Sequence, residues 1–530
     1  MRYMLKTNSR LIFSLLFSLF LACYVQHRVF FDLTAINDDI RNQIYWMARL
    51  IDPSLFPNDF IASYFTQNSL VSPVLYFLYK IAANWIDPVR FSQFIPFILV
   101  LISTFLLFKI AETYSNSHYA FWVTYIFNLF VWKISNLSGG LPRSFFYPFM
   151  FLFLWFYITE RWIWLIPCFC LQCLIYPPIF FLSVGMVILE LFLDRKKSFQ
   201  SVKISYVLIA ITIGLFVLYC RYSNYNSNDF GSLTTLKEAL SMPEFYLDGR
   251  IKAFPLAYKL AHKELFLEGI NNLLIGLHHR NLSFFSLCLL SLFFALIAIF
   301  FYKKDLFSKY CSIPRWIWSL SVASIIIYFL ALIASFYLYL PQRYIQFGLP
   351  ILLIFLSGSI LYQFTSSSTL QKRYKVIVIL CLLLISSHYW IEDLISIGPK
   401  GRNVLDYLKS VPKNALIAAP LKLADDIPAF SHRSILISYE ANIPFHKKYY
   451  TEISSRIKDW NGAYYSNNSI LIKDFVKKYN VDYLVIDQRD FQGKNSSLTL
   501  SQIPEACKLS QFGRYSILPG KKVYPGNCFD

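Results

Sequence analysis

The stretch from Leu11 to Phe30 is predominantly apolar and long enough to cross a bilayer, since about 20 residues at 1.5 Å rise cover a hydrocarbon core of roughly 30 Å. Comparable runs recur along the chain and restrict it to a polytopic α-helical membrane fold. Composition agrees: 56% of the 530 residues are hydrophobic and 15% charged, against about a quarter charged in soluble proteins. The net charge of +19 does not mark a nucleic-acid binder. The basic residues fall in short clusters between apolar runs, which is the pattern of membrane topology.

Four such clusters set the expected orientation. Arg2, Lys6 and Arg10 precede the first run; Arg195, Lys196, Lys197 and Lys203 follow the run ending near Leu193; Lys303, Lys304, Lys309 and Arg315 separate two later runs; Lys372, Arg373 and Lys375 precede the last. All four lie on the cytoplasmic side if spans are placed at roughly 11–30, 93–111, 119–135, 144–159, 162–176, 178–193, 204–220, 282–302, 316–339, 346–364 and 376–391. That predicts about eleven helices in a bacterial-type inner membrane, amino terminus inside and carboxyl terminus outside. Val71 to Trp85 is short for a crossing and would reverse the later clusters, so it reads as an interfacial helix. The first span lacks a small-x-small cleavage site and reads as retained. Cys23 after Leu21-Ala22 has the flanks of a lipid-attachment site only in part.

The expected organisation is a transmembrane domain over 1–391, with outer loops at about 31–92 and 221–281, and an extracytoplasmic α/β domain over 392–530. In the tail, short β-branched runs such as Ala415–Ala419, Ser434–Ser438 and Tyr483–Ile486 alternate with helical stretches such as Ser469–Tyr479, the pattern of a small α/β unit.

The leading chemical feature is Asn37-Asp38-Asp39 at the start of the first outer loop. Two adjacent carboxylates supply a general base for a hydroxyl acceptor or oxygen ligands for a divalent cation, and a lipid–water boundary presents the head of a lipid-linked substrate. They also suit the N-cap of a helix over Ile40–Leu50. On the same side, Ser135–Ser144 reads SNLSGGLPRS, in which Gly139 and Gly140 permit close backbone approach and Arg143 stands at the mouth of the next helix. A second arginine lies in Pro341-Gln342-Arg343-Tyr344. Arginines there bind a phosphate bidentately or anchor helix ends at the interface. Asp59, followed by Phe60, Tyr64 and Phe65, suits sugar hydroxyls and ring faces, or an interfacial aromatic belt. Asp38 and Asp39 are expected to share an outer cavity with Arg143 or Arg343.

Other residues carry less. Cys168, Cys170 and Cys173 scatter around a helix with no histidine or carboxylate beside them, so they read as small apolar residues and not as metal ligands. Cys507 and Cys528 lie in the outer tail, where a disulfide is permitted. His262, Glu264 and Glu268 could share a helical face, and His278-His279-Arg280 reads as a membrane boundary. The Asn-x-Ser sites at Asn136, Asn281, Asn467 and Asn495 arise by chance.

A first span, an outer loop opening on Asp38, Asp39 and Tyr45, an interfacial helix near Pro73, a multi-helix bundle, and Arg343-Tyr344 before a late span containing Pro350 together resemble the GT-C superfamily of membrane glycosyltransferases. The resemblance covers about residues 10–391. It implies a polyprenyl-phosphate-sugar donor, a glycan, lipid or protein acceptor, a catalytic carboxylate at Asp38 or Asp39, and a phosphate contact at Arg343. Metal-dependent members carry a second acidic motif where this chain has Gly139-Gly140-Leu141-Pro142-Arg143, so the resemblance implies no certain cofactor and leaves a divalent cation in doubt. Two other classes compete with a transferase. A transporter or lipid flippase calls for charged or broken helices at mid-membrane and repeat symmetry; a non-catalytic scaffold would use its outer domain to bind the cell envelope.

Overall fold

The computed structural model describes residues 2–67, 70–132, 137–193, 201–223, 227–239, 241–245, 313–338, 340–366, 394–466, 468–491 and 508–520. The expected spans at 282–302 and 376–391, the cluster His262, Glu264 and Glu268, the run His278–Arg280, the pair Cys507 and Cys528, and the four Asn-x-Ser asparagines lie outside these residues.

Helix α1, Arg2–Val25, is followed by a loop carrying strand β1, Ile36–Asn37, and the short helices α2, Ile40–Gln43, and α3, Phe60–Phe65. Helix α4, Pro73–Ala82, occupies the stretch read as too short to cross; Ser72 caps it by accepting from Leu75 N. The bundle continues with α5 (Pro88–Tyr114), α6 (Ser117–Val131), α7 (Phe146–Ile158), α8 (Leu165–Ile175), α9 (Pro177–Leu193), α10 (Ser201–Ser223), α11 (Arg315–Ala334) and α12 (Gln342–Ser366). Every expected span that is described is thus a helix. Pro88–Tyr114, Ile204–Ser223, Arg315–Ala334 and Gln342–Ser366 are long and apolar enough to cross a membrane on their own.

Polar side chains bond one another inside the bundle. Ser18 on α1 meets Thr104 on α5 at 3.0 Å, and Asn128 on α6 donates to Thr104 at 3.1 Å, so three helices share one network. In hydrocarbon each such group left alone would be costly, which makes the network a register pin. Gly358 lets α12 lie against α6: a Cβ there would stand 2.9 Å from Val123 Cα. One end of the bundle is tied by Arg10 Nη1 donating to Ser117 Oγ at 2.9 Å, Asn116 Nδ2 to the Tyr362 hydroxyl at 2.8 Å, and Arg315 Nη2 to Glu190 Oε2 at 3.0 Å. The starts of α1, α6 and α11 and the ends of α9 and α12 therefore share one side. The loop after α1 lies at the other.

Against that loop sits the C-terminal part. Strand β2, Leu394–Ile395, pairs antiparallel with β1. Then come α13 (Pro399–Ser410), β3 (Leu416–Ala418), β4 (Ser434–Ile435), α14 (Lys447–Tyr464), α15 (Ser469–Tyr479), β5 (Tyr483–Asp487), β6 (Ser510–Phe512) and β7 (Tyr515–Pro519). The sheet order is β4-β3-β5-β7-β6, parallel across β4, β3 and β5 and antiparallel thereafter. Beyond the β1–β2 ladder, the two parts are joined by Arg402 on Asp32 at 2.8 Å and by the Tyr64 hydroxyl on His446 Nδ1 at 2.7 Å, with the Tyr64 and Tyr449 rings stacked at 3.6 Å.

Candidate active site

Asn37 organises the acidic turn. It is buried by the β1–β2 pairing, its Nδ2 donates to Ser138 Oγ at 2.7 Å, and its Oδ1 accepts from Asp39 N at 3.2 Å and from Arg143 Nη2 at 3.1 Å. The glycines of the SGG segment allow this. Gly139 has φ +91°, and a Cβ there would stand 2.8 Å from Asn37 Cβ. The close approach read from the sequence is therefore an approach to Asn37. Its neighbour Gly140, also at positive φ, receives the Tyr79 hydroxyl on its carbonyl at 3.2 Å.

The two carboxylates part company. Asp39 stands where a cap of α2 would, yet makes no capping bond with its side chain; its Oδ2 takes Arg143 Nη1 instead. Asp38 is half exposed and pairs with Arg41, whose Nη1 also reaches Asp426 at 2.9 Å and Asp425 at 4.0 Å in the C-terminal part. One carboxylate is thus held by the bundle and the other, through Arg41, by the C-terminal part. Sequence reading missed Arg41, Asp425 and Asp426 in this role, because nothing in the spacing of residues 41 and 425 brings them together.

Asp425 is buried, accepts from Glu440 N at 2.8 Å, and has its carboxyl pushed up to about 7, first by burial and further by the Glu440 charge, against the opposing pull of Arg41. The folded protein therefore keeps a proton that the unfolded chain has lost. This contribution to stability is full below about pH 4 and is lost as pH rises to about 7, a span worth roughly 4 kcal/mol at most. Asp425→Asn is expected to flatten that slope and to melt higher than wild type at pH 8; thermal unfolding in detergent between pH 4.5 and 8 reads it.

A cavity beside this turn has a volume of about 620 Å³. Arg143 and Tyr344 line it; Asp38, Asp39, Asp59 and Arg343 do not. Arg143 is the link, with its guanidinium on Asp39 and its side chain in the cavity wall. Asp59 is a buried cap, accepting from Ala62 N at 2.9 Å, and burial pushes its carboxyl up. Its Oδ1 therefore caps its own helix. Arg343 reaches Gln346 Oε1 at 3.4 Å one turn along α12, and Tyr344 donates its hydroxyl to Leu338 O at 2.7 Å. Of the outer cavity expected to be shared by Asp38 and Asp39 with Arg143 or Arg343, the structure shows Arg143 in the cavity wall and bonded to Asp39, with neither aspartate among the lining residues.

Two further polar groups line the cavity. His446 comes from the C-terminal part; burial holds its imidazole down at about 4, so it is neutral at pH 7. Arg221 ends α10. Its Nη1 donates to the carbonyls of Cys173 (2.7 Å) and Leu174 (3.2 Å), and its Nη2 to Val71 O at 3.3 Å. Those two α8 carbonyls would ordinarily face the N–H groups of residues 177 and 178, but both are proline. The Pro177-Pro178 break thus creates the acceptors that hold Arg221. No acidic side chain neutralises Arg221 among the described residues. The sequence did carry a signal for it: under the expected topology an arginine at that end of a span runs against the usual charge bias.

The remaining lining is mostly apolar and aromatic, including Trp46, Leu75, Ile175, Phe181 and Leu218, and contains no carboxylate among the described residues. An apolar pocket with fixed cations and no acid suits an amphiphile with an anionic head. Among the described residues no three His, Cys, Asp or Glu side chains converge as a metal-binding group. Each carboxylate of the pair is taken by an arginine, so this donor set does not fit a resident divalent cation, and no step below is routed through one.

No protein-family model matches the chain, and no curated protein matches it in sequence. Solved structures do match. The Archaeoglobus fulgidus oligosaccharyltransferase in its apo form aligns with 93% of this chain and 71% of its own length at TM-score 0.54 and 13% identity. The same enzyme in complex with zinc and sulfate aligns with 92% and 69% at TM-score 0.53 and 12% identity. At such identity the likeness is one of fold. The chain shares the fold of this oligosaccharyltransferase.

Proposed function

We propose that this chain is an inverting GT-C-type glycosyltransferase that moves a sugar from a polyprenyl-phosphate donor to a glycan, lipid or protein acceptor on the outer face of the membrane. The observation that carries the reading is Arg143, which bonds Asp39 and also lines a mostly apolar cavity with no carboxylate among its described lining residues. The fold shared with an oligosaccharyltransferase supports it.

In this reading the lipid tail lies among the apolar lining and the phosphate faces the cavity arginines. Asp39 takes the proton of the acceptor hydroxyl or amide. The acceptor atom then forms a bond to the anomeric carbon as the bond from that carbon to the phosphate oxygen breaks. The electron pair leaves with the lipid phosphate, whose growing charge the arginines stabilise. Residues 1–391 form the membrane domain of about eleven helices, and 392–530 form the outer α/β domain that closes over the first loop. The test is transfer by purified protein from polyprenyl-phosphate sugars, guided by the lipid-linked intermediates that accumulate in a deletion strain. Absence of turnover with every donor that accumulates would sink the reading.

The orientation has its own test. A cysteine placed in the tail is expected to react with an impermeant thiol reagent in intact cells, and one near Lys196 to be protected. The reverse pattern would place the acidic turn and the cavity in the cytoplasm.

A further inference from the structure

We infer that residues 440–446 of the C-terminal part are a strap that gates the cavity, and that Arg41 and Asn42 of α2 are the latch holding it shut at Glu440. The inference goes beyond the proposed reaction and stands whether or not sugar is transferred.

The path of the strap supplies the first argument. It lies between β4 and α14, and its Ile443, Phe445 and His446 line the cavity. The far end is pinned to the segment around Thr234: Thr234 N donates to Phe445 O at 2.9 Å, Thr234 Oγ1 to Pro444 O at 2.7 Å, and Lys447 N to Ser232 O at 3.1 Å. Tyr64 adds its hydroxyl on His446 Nδ1. The near end depends on side chains. Glu440 N donates to Asp425 Oδ1 at 2.8 Å, Ala441 N to Ser438 Oγ at 3.0 Å, and the Tyr449 hydroxyl to Ala441 O at 2.9 Å. A segment held in this way opens at lower cost than the sheet beside it. Ile443 stands close behind Glu440, so release there withdraws an apolar side chain from the wall while Phe445 and His446 stay pinned.

The grip of α2 supplies the second argument. Asn42 Nδ2 donates to Glu440 Oε2 at 3.4 Å. Arg41 Nη1 bonds Asp426 at 2.9 Å and reaches Asp425, the carboxylate that holds Glu440 N. The next two residues, Gln43 and Ile44, line the cavity, so α2 holds the strap beside a space that both help to wall. Burial pushes the carboxyls of Asp425 and Asp426 up, and the Arg41 charge pulls both back. Without that charge, neighbouring buried carboxylates separate or take up a proton, and either outcome breaks the tie between α2 and Glu440. Asp38, half exposed on the same guanidinium, brings the latch to the solvent side of the acidic turn.

The experiment is hydrogen exchange on the purified full-length protein in detergent, read peptide by peptide by mass spectrometry. Arg41→Gln is expected to speed exchange across 440–443 by about 10-fold or more, as loss of a charge-assisted contact allows, and to leave β5 unchanged. Asn42→Ala is expected to act at the same residues, more weakly. Entry is read on Ile44→Cys, at a buried position of the cavity wall, labelled with N-ethylmaleimide and located by mass spectrometry. Its labelling is expected to be about 10-fold faster with Arg41→Gln than with Arg41 in place. Unchanged exchange in both variants overturns the latch. A rise spread equally over β5 and β7 shows that Arg41 holds the whole C-terminal part, and overturns the strap. Faster exchange with unchanged labelling overturns the gate, as does labelling already fast with Arg41 in place. If the strap opens as expected and no sugar is transferred, the proposed function fails while the gate stands.

Discussion

Asp39→Asn is expected to lower sugar transfer by about 10²- to 10⁴-fold, the usual contribution of a positioned base, while leaving the protein folded and inserted. The asparagine keeps the size of the side chain and one acceptor oxygen for Arg143, so the turn built on Asn37 stays in place. Asp38→Asn is expected to be much milder, because that carboxylate faces Arg41 and the C-terminal part and not the cavity wall. Steady-state turnover of one donor by wild type and the two variants separates the roles. Equal loss in both would mean that the acidic pair acts as a unit, and equal retention would remove Asp39 from the chemistry.

Gly139→Val carries the second large effect. At φ +91° a β-branched residue is strained by about 1–3 kcal/mol, and the added Cβ would lie 2.8 Å from Asn37 Cβ. Relief requires Asn37 to move. Asn37 holds Ser138, the Asp39 amide and Arg143 together, so its displacement loosens the whole turn. Transfer is expected to fall by two orders of magnitude or more, with a lowered melting temperature but a helical spectrum retained. Gly462→Ala is the control. It lies in α14 with nothing within 4 Å of an added Cβ and is expected to be neutral or to stabilise by about 0.5–1 kcal/mol.

What could be read from the chain alone follows from the range of the interaction concerned. The helices were legible because each is written as an apolar run, and the run Val71–Trp85 does hold the helix read from it, α4. The need for glycine at 139 was legible too, although its partner Asn37 was not. Pairings set by the folded arrangement were out of reach. The sequence offers Asp59 among aromatic rings with the same emphasis as Asp39, and only burial against its own helix shows that Asp59 is a cap. Arg343 and Arg221 both end apolar runs, and the Pro177-Pro178 break is what draws the latter into the cavity wall. Arg41 gave no local sign, since its partners lie at the far end of the chain.

That distance sets an order of events during synthesis. Arg41 and Asp426 are 385 residues apart, so at about 5–20 residues per second the ribosome needs on the order of 20–80 s to supply the second after the first. Throughout that interval the loop after α1 has neither β2 to pair with nor Asp426 to share Arg41. A chain interrupted before residue 394 keeps the contacts of the acidic turn with Ser138 and Arg143 but lacks both ties to the C-terminal part.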